Sequence, residues 1–377
     1  MNLMRLVAIA RKEFIHIFRD PRSLGMAIAM PMLLLILFGF ALTLDVDNVP
    51  LVVWDQSQSP SSREFISRFS GTPYFSLREY VNDYRALERA IDSRWALVGM
   101  VIPTDFARRI ETGRSAPVQM IVDGSDSNTA TIAIGYADAV AQTYSQDIAV
   151  RRMRRISGST IELPLDIKPR VWFNAEMESK NYIIPGLIAV IMMGITALLT
   201  SLTVAREWER GTMEQLISTP IKGRELILGK LLPYFIIGMF DVLLAVLMGQ
   251  FLFHIPLRGN VVLLFGLAAI FLAGALSLGM VISIVAKNQL LASQVAMITT
   301  FLPSALLSGF MYPIGNMPKL IQIITYIIPA RYFIVILKGI YLKGIGLEIL
   351  FVEAGLLALF CVAMMVIAHR KFIKKLV

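Results

Sequence analysis

Residues 182–204 read Y-I-I-P-G-L-I-A-V-I-M-M-G-I-T-A-L-L-T-S-L-T-V with no charged side chain, and residues 205–216 then read A-R-E-W-E-R-G-T-M-E-Q-L with five. About 20 apolar residues are needed to cross roughly 30 Å of hydrocarbon at about 1.5 Å per residue. The first stretch is therefore long enough to span a membrane, and the second marks where the chain leaves it. Five further runs share this character: 23–44, 231–253 with Asp241 as its only charge, 261–286, 290–314, and 347–368 with Glu348 and Glu353 near its start. The sequence predicts a membrane α-helical protein with six transmembrane helices.

Composition agrees. Of 377 residues, 56% are hydrophobic and 17% charged, and the mean hydropathy is +0.66. A soluble domain carries about 25% charge, which argues against a cytosolic enzyme. The net charge of +9 would suit a nucleic-acid binder, but Lys and Arg cluster at the ends of apolar runs, a membrane pattern; nucleic acid is not an expected partner. One cysteine, Cys361, excludes a disulfide framework. The three histidines, His16, His254 and His369, lie too far apart to suggest a metal-ligand helix.

Lys and Arg number 15 in segments 1–22, 205–230, 287–289 and 369–377, and 5 in segments 254–260 and 315–346. The positive-inside rule, from which long loops are exempt, then places both termini in the cytoplasm, with 369–377 as a short tail. The first run is too long for a signal-peptide core and reads as an uncleaved anchor. No internal repeat is visible.

Segment 45–181 changes to mixed polar composition and is expected to fold outside as a small α/β domain. Strands are expected over Val49–Trp54, Ala96–Ile102, Val118–Val122 and Ile167–Phe173. Helices are expected over Ser61–Phe69, Tyr84–Ile91, from a Thr104-Asp105 cap to Thr112 with Gly113 as its stop, and over Thr129–Arg155. Asp123, Asp126 and Asn128 resemble the start of a calcium loop, but the later Glu is missing; an Asx-rich turn is the plainer reading. The run Arg151–Arg155 reads either as a lipid-headgroup contact or as a solvated helix end. A His-dependent catalytic triad is excluded, because the segment has no His.

On the cytoplasmic side, Leu3, Leu6, Val7, Ala10, Phe14, Ile17 and Phe18 share one helical face, and Arg5, Lys12, His16 and Arg19 the other, which suits a helix lying among membrane lipids. Segment 205–230 carries Trp208, Met213 and Leu216 among dense mixed charges, the composition of a helix that docks into a partner's groove. The nearest approach to a phosphate loop, Gly223 to Leu231, has one residue too many between its glycines and Leu where Ser or Thr is needed. The chain therefore has no ATPase of its own, and it carries no HExxH or GxSxG hydrolase motif.

The full chain resembles a permease of the ABC-2 transporter family, near the bacterial inner-membrane drug-exporter-type subfamily. The resemblance rests on R-K-E-F-I-H-I-F-R-D-P-R-S at 11–23, I-V-D-G-S-D-S-N-T-A at 121–130, N-Y-I-I-P-G at 181–186, V-A-R-E-W-E-R-G-T-M-E-Q-L at 204–216 and Y-I-I-P-A-R-Y-F at 326–333. It implies a type V exporter-like fold, with the α/β periplasmic domain inserted between helices 1 and 2 and both termini cytoplasmic in a bacterial inner membrane. It further implies that 1–22 holds an interfacial helix, that Arg206, Glu207, Trp208, Glu209, Arg210, Gly211, Thr212, Met213, Glu214 and Gln215 form an ATPase-coupling helix, and that Pro318–Arg331 within 315–346 forms re-entrant helices. Implied partners are cytoplasmic ABC ATPase subunits carrying ATP and magnesium, a second permease chain (a copy or a paralogue), membrane lipids and a candidate periplasmic adaptor; this chain itself binds no cofactor. The implied function is export of a drug-like, amphiphilic or lipidic substrate. A membrane sensor with a periplasmic ligand domain, and a polysaccharide or lipid exporter permease, are the alternatives.

Candidates for the translocation path are Thr196, Thr200, Ser304 and Ser308, mild polar positions that intrahelical hydrogen bonds explain equally well, and Asp241. An acid near mid-membrane costs several kcal/mol to bury as a charge and is a functional candidate by default; its structural alternative is a neutral or bonded Asp that holds the bundle together. Prolines at 31, 185, 233 and 303 permit kinks, and Ala275, Ser277 and Gly279 offer a small face for close helix approach.

Overall fold

The computed structural model describes residues 3–42, 46–157, 170, 172–174 and 178–372. In chain order the elements are α1 (Leu3–Arg19), α2 (Pro21–Leu24), a π turn at Gly25–Ala29 and α3 (Met30–Ala41). There follow β1 (Val49–Asp55), α4 (Pro60–Ser70), β2 (Phe75–Tyr80), α5 (Tyr84–Asp92), β3 (Val98–Ile102), α6 (Phe106–Thr112), β4 (Gln119–Val122) and α7 (Ser127–Ser157). The remainder is α8 (Ser179–Glu209), α9 (Thr212–Ser218), α10 (Gly223–Leu247), α11 (Val261–Ala286), α12 (Gln289–Ala296), α13 (Leu302–Leu307), α14 (Lys319–Thr325), α15 (Pro329–Lys338) and α16 (Leu347–Lys371). The chain divides into two compact units, Leu44–Pro169 and the segments on either side of it.

Among the described residues of the larger unit, five helices are long and apolar enough to cross a membrane: Ser179–Glu209, Gly223–Leu252, Val261–Ala286, Gln289–Leu307 and Leu347–Lys371. α8 is the hub, buried along nearly all of its apolar length and packed against α3, α10, α11, α12 and α15. Its sequence permits this because Gly186, Gly194, Ala189 and Ala197 let neighbours approach closely, the route by which helices associate where lipid offers no hydrophobic drive. Gly194, for example, lies against the Phe301 ring.

The first apolar run is helical over Gly25–Ala41 and continues without a break from α2, so residues 21–41 rise about 31 Å. Two expectations need correction. The run at 290–314 stops as a helix at Leu307, because Gly309 takes a left-handed conformation with φ +83° and a bend precedes Pro313. Within 315–346 the two helices do not end at Arg331: Lys319–Thr325 is followed across an 82° bend by Pro329–Lys343. Two prolines sit two positions past wide π turns, Pro31 after Gly25–Ala29 and Pro303 after Met297–Phe301, where the looser turn relieves the clash of the ring with the preceding backbone. Pro185 and Pro233 lie inside continuous helices.

The smaller unit is an α/β fold as expected. Its sheet runs β2-β1-β3-β4, with β1 parallel to both β2 and β3, and β4 antiparallel to β3. β3 (V-G-M-V-I) is wholly buried. One face packs Phe65, Phe69, Phe75, Phe106 and Tyr144 together, while Leu87 of α5 seals the other. The edge strand β2, F-S-L-R-E-Y, was not legible, because an edge exposed on its outer half keeps polar residues. Asp105 does not cap α6 through its side chain; its carboxylate instead accepts from Arg109 Nε at 2.5 Å. The strand expected over Ile167–Phe173 falls largely outside the described residues.

The doubtful sites of this unit resolve toward structure. Asp123 accepts from the Ser125 amide, and Asp126 from the Asn128 amide and the Thr129 hydroxyl, so the acids serve a turn and the start of α7. Those hydrogen bonds hold both carboxyls below their ordinary pKa. Among the described residues no His, Cys, Asp and Glu cluster could hold a metal ion. Arg151 pairs with Glu64 at 2.9 Å and Arg152 donates to the Thr112 carbonyl at 3.1 Å, which ties the basic run to its own domain.

Candidate functional site

Where the apolar part of α8 ends, α1, α8, α9 and α10 meet around a buried set of charges. Lys230, 1% exposed, directs its ammonium to Glu13 Oε1 at 2.5 Å and Glu207 Oε1 at 3.1 Å. Lys12 reaches the same Glu207 oxygen at 2.9 Å, and the Thr212 hydroxyl donates to the other. Burying an ammonium costs several kcal/mol unless charge partners and hydrogen bonds offset it; here two carboxylates do. Glu207 lies beyond the apolar run that ends at Val204. Burial acts to raise its pKa, but Lys230, with Thr212 and Lys12, outweighs burial and holds the carboxyl well below its usual range.

Beside this cluster, Arg206 Nη1 lies 2.6 Å from His16 Nε2. A guanidinium can only donate, so this ring nitrogen accepts. Burial, together with Arg206, lowers the His16 pKa and keeps the ring neutral enough for the role. A cavity of about 160 Å³ opens among Lys12, Glu13, His16, Arg206, Glu207 and Lys230. The four elements are thus joined by ionic contacts around a small polar void.

The expected coupling helix over Arg206–Leu216 is in fact two pieces. α8 continues to Glu209, Gly211 turns the chain with φ +69°, and α9 then begins at Thr212. A residue with a Cβ rarely adopts that φ, which is why a glycine stands there. The apolar residues read as anchors for a partner are turned inward: Met213 is 1% exposed and packs with Ile9 and Leu226, joined at the edge by Trp208 and Leu216. Lys287 stands 4.9 Å over the Trp208 ring. Glu209 accepts from both the backbone and the side-chain amide of Gln289, so it braces the start of α12. Arg210, Gly211, Glu214 and Gln215 remain exposed, and these form the outward surface of the junction.

A family model described as "ABC-2 family transporter protein" matches residues 21–370. The chain belongs to the ABC-2 transporter family. It is similar to the probable multidrug ABC transporter permease YbhS of Escherichia coli strain K12, at 40% identity over 91% of this chain and 90% of that one. It is similar also to the probable multidrug ABC transporter permease YbhR of the same organism, at 32% identity over 92% of each chain. A more distant relative is the linearmycin resistance permease protein LnrN of Bacillus subtilis strain 168, at 23% identity over 88% of this chain and 89% of that one.

The other candidates of this ABC-2 permease lie deeper in its multi-pass membrane unit. Thr200 is fully buried, donates to the Thr196 carbonyl at 2.9 Å and faces Gly279 of α11. Ser308 donates to the Ser304 carbonyl. These bonds favour the packing explanation for Thr200 and Ser308. Thr196 and Ser304 are also buried, and Ser304 Oγ has no partner among the described residues. Asp241 is 2% exposed and its Oδ1 has no hydrogen-bond partner there either, so the bonded alternative has no support at that oxygen. The small face of α11 does what its sequence suggested: Gly279 lies against the Ala197 carbonyl and Thr200 of α8.

Glu13 and Lys230 were the residues that sequence reasoning missed. Glu13 carries a signal, since it interrupts the buried side formed by Leu6, Ile9, Ala10 and Ile17. Lys230 has the look of an ordinary cation flanking a span, and only packing distinguishes it.

Proposed function

We propose that this chain is the membrane subunit of an ATP-driven exporter in a bacterial inner membrane, with both termini cytoplasmic. Its cargo would be a drug-like, amphiphilic or lipidic substrate, in keeping with the multidrug and linearmycin-resistance names of its relatives. The observation that carries the reading is the junction of α1, α8, α9 and α10: a short helix with an exposed polar face, fixed from behind by Met213 and the Lys230–Glu207–Glu13 contacts. In this scheme α9 docks on a cytoplasmic ABC ATPase that binds ATP and magnesium. Closure of two ATPase subunits pushes α9, and the ionic joint passes the displacement to α8 and α10 together rather than letting the loop yield.

A second permease chain, either a copy or a paralogue, would complete the path, with Thr196, Ser304 and Asp241 as its candidate polar points. Segment 45–181 would be the periplasmic domain that meets an adaptor. The test is recovery of an ATPase with the tagged permease from native membranes, and its loss when the exposed Glu214 is changed to Lys. Glu214→Lys leaves the buried contacts in place, so a variant that stays folded but still co-purifies with the ATPase at the wild-type level would refute α9 as the docking element.

A further inference from the structure

We infer that the permease holds an anionic phospholipid in a groove between α10 and α16, with the phosphate at Arg224 and Arg370 and one acyl chain along Leu228–Phe235. The groove has two parts. A cavity of about 580 Å³ is lined by Arg224, Leu228, Met365, His369 and Arg370 among others. A second, of about 240 Å³ and almost wholly apolar, runs on between Leu228, Leu232, Phe235 of α10 and Leu276 of α11. Leu228 and Met365 line both, so the two adjoin. From Arg224 to Phe235 the helix rises about 16 Å, most of the length of an extended acyl chain.

Charge complementarity names the occupant. Arg224 and Arg370 are exposed, and among the described residues neither is paired with an acid. Arg224 Nε donates to His369 Nε2 at 3.0 Å, and both residues line the groove, where Arg224 stays exposed. Below this basic mouth the walls carry no charge, and Val362, Met365 and Val366 are exposed on the α16 side. A cationic amphiphile offers these two guanidinium groups no anion, and a zwitterionic phospholipid offers a phosphate whose own ammonium is repelled by them; a lipid of net negative charge brings the phosphate without that repulsion, in the fork geometry that arginine favours. Both arginines lie at the helix ends that the orientation proposed above puts in the cytoplasmic leaflet, where anionic lipids attract basic residues.

The full-length permease, purified in detergent and mixed with phosphatidylglycerol or phosphatidylcholine, tests this by native mass spectrometry of retained lipid. Each cation near an anionic headgroup contributes about a fivefold preference, so the wild type should retain phosphatidylglycerol over phosphatidylcholine by about 25-fold. Arg224→Gln/Arg370→Gln should bring the two lipids near parity. Met365→Trp, which fills the groove and leaves both arginines, should lower retention of either lipid and covers the case in which the double variant does not fold. Arg63→Gln/Arg85→Gln, at exposed arginines of the smaller unit, should change nothing. Equal retention by the wild type, a preference that survives in the double variant, an equal loss in the control, or displacement of the lipid by millimolar inorganic phosphate would each overturn the assignment. The measurement needs no ATPase, so its failure would leave the transport reading untouched.

Discussion

Replacing Lys230 by Met removes the cation between Glu13 and Glu207 while keeping the unbranched stem of the side chain, one atom shorter. Glu13 is 4% exposed and Glu207 8%. Glu207 retains Lys12 at 2.9 Å, whereas Glu13 loses its cation. Removing one member of a buried ion pair costs about 3–5 kcal/mol, and the surviving Lys12 contact sets the expectation at the lower end, about 3 kcal/mol. At about 2 °C per kcal/mol for a unit of this size, the melting temperature should fall by about 6 °C. Glu13→Gln/Lys230→Met removes the stranded carboxylate as well. Contacting residues couple by about 1–2 kcal/mol, so the double variant should melt about 2–4 °C above the single one. Thermal unfolding of the purified permease in detergent reads both. If Lys230→Met melts within about 1 °C of the wild type, or if the double variant is no more stable than the single, the ionic joint does not hold the junction together. With an ATPase partner present, Lys230→Met should also lower export per ATP hydrolysed, because the displacement of α9 would no longer reach α10.

Gly279→Ala would drive a methyl into the Ala197 carbonyl and Thr200, costing about 1–3 kcal/mol by overpacking, whereas Gly266→Ala, with open space around it, should be neutral or raise stability by up to about 1 kcal/mol; thermal unfolding separates the pair. Met213→Ala removes the buried anchor of α9 and should cost about 2–5 kcal/mol, with proteolysis near residues 210–220 rising in step. The Arg109 hydrogen bond holds the Asp105 carboxyl below its ordinary pKa, so its contribution is present above the unfolded pKa of 3.8 and is lost as pH falls through the depressed folded value. Hydrogen exchange over α6 should therefore differ between the wild type and Asp105→Asn at pH 6, and the two should converge in strong acid.

What the chain's own pattern determined was material and layout. Runs such as 182–204 and 261–286 can be satisfied only as helices in hydrocarbon, since no water is there to pair their backbone. The change to mixed polar composition after residue 45, with expected strands alternating with helices, argued for a separate α/β unit. Gly113 marked its helix stop because a left-handed φ leaves few other choices, whereas Gly211, read as part of one helix, proved to be the turn between two. Contact energies decided the rest, and no one-dimensional pattern carries them. Trp208 and Met213 read as partner anchors until packing turned them inward. Lys230 read as a flanking cation until Glu13, 217 positions away, closed on it. The ends of 290–314 and the 82° bend at Tyr326–Ile328 depend on which neighbours fill the space, a matter of tertiary fit that local propensity does not encode. A buried charge is tolerable only where its partners converge, and convergence is what the folded chain alone supplies.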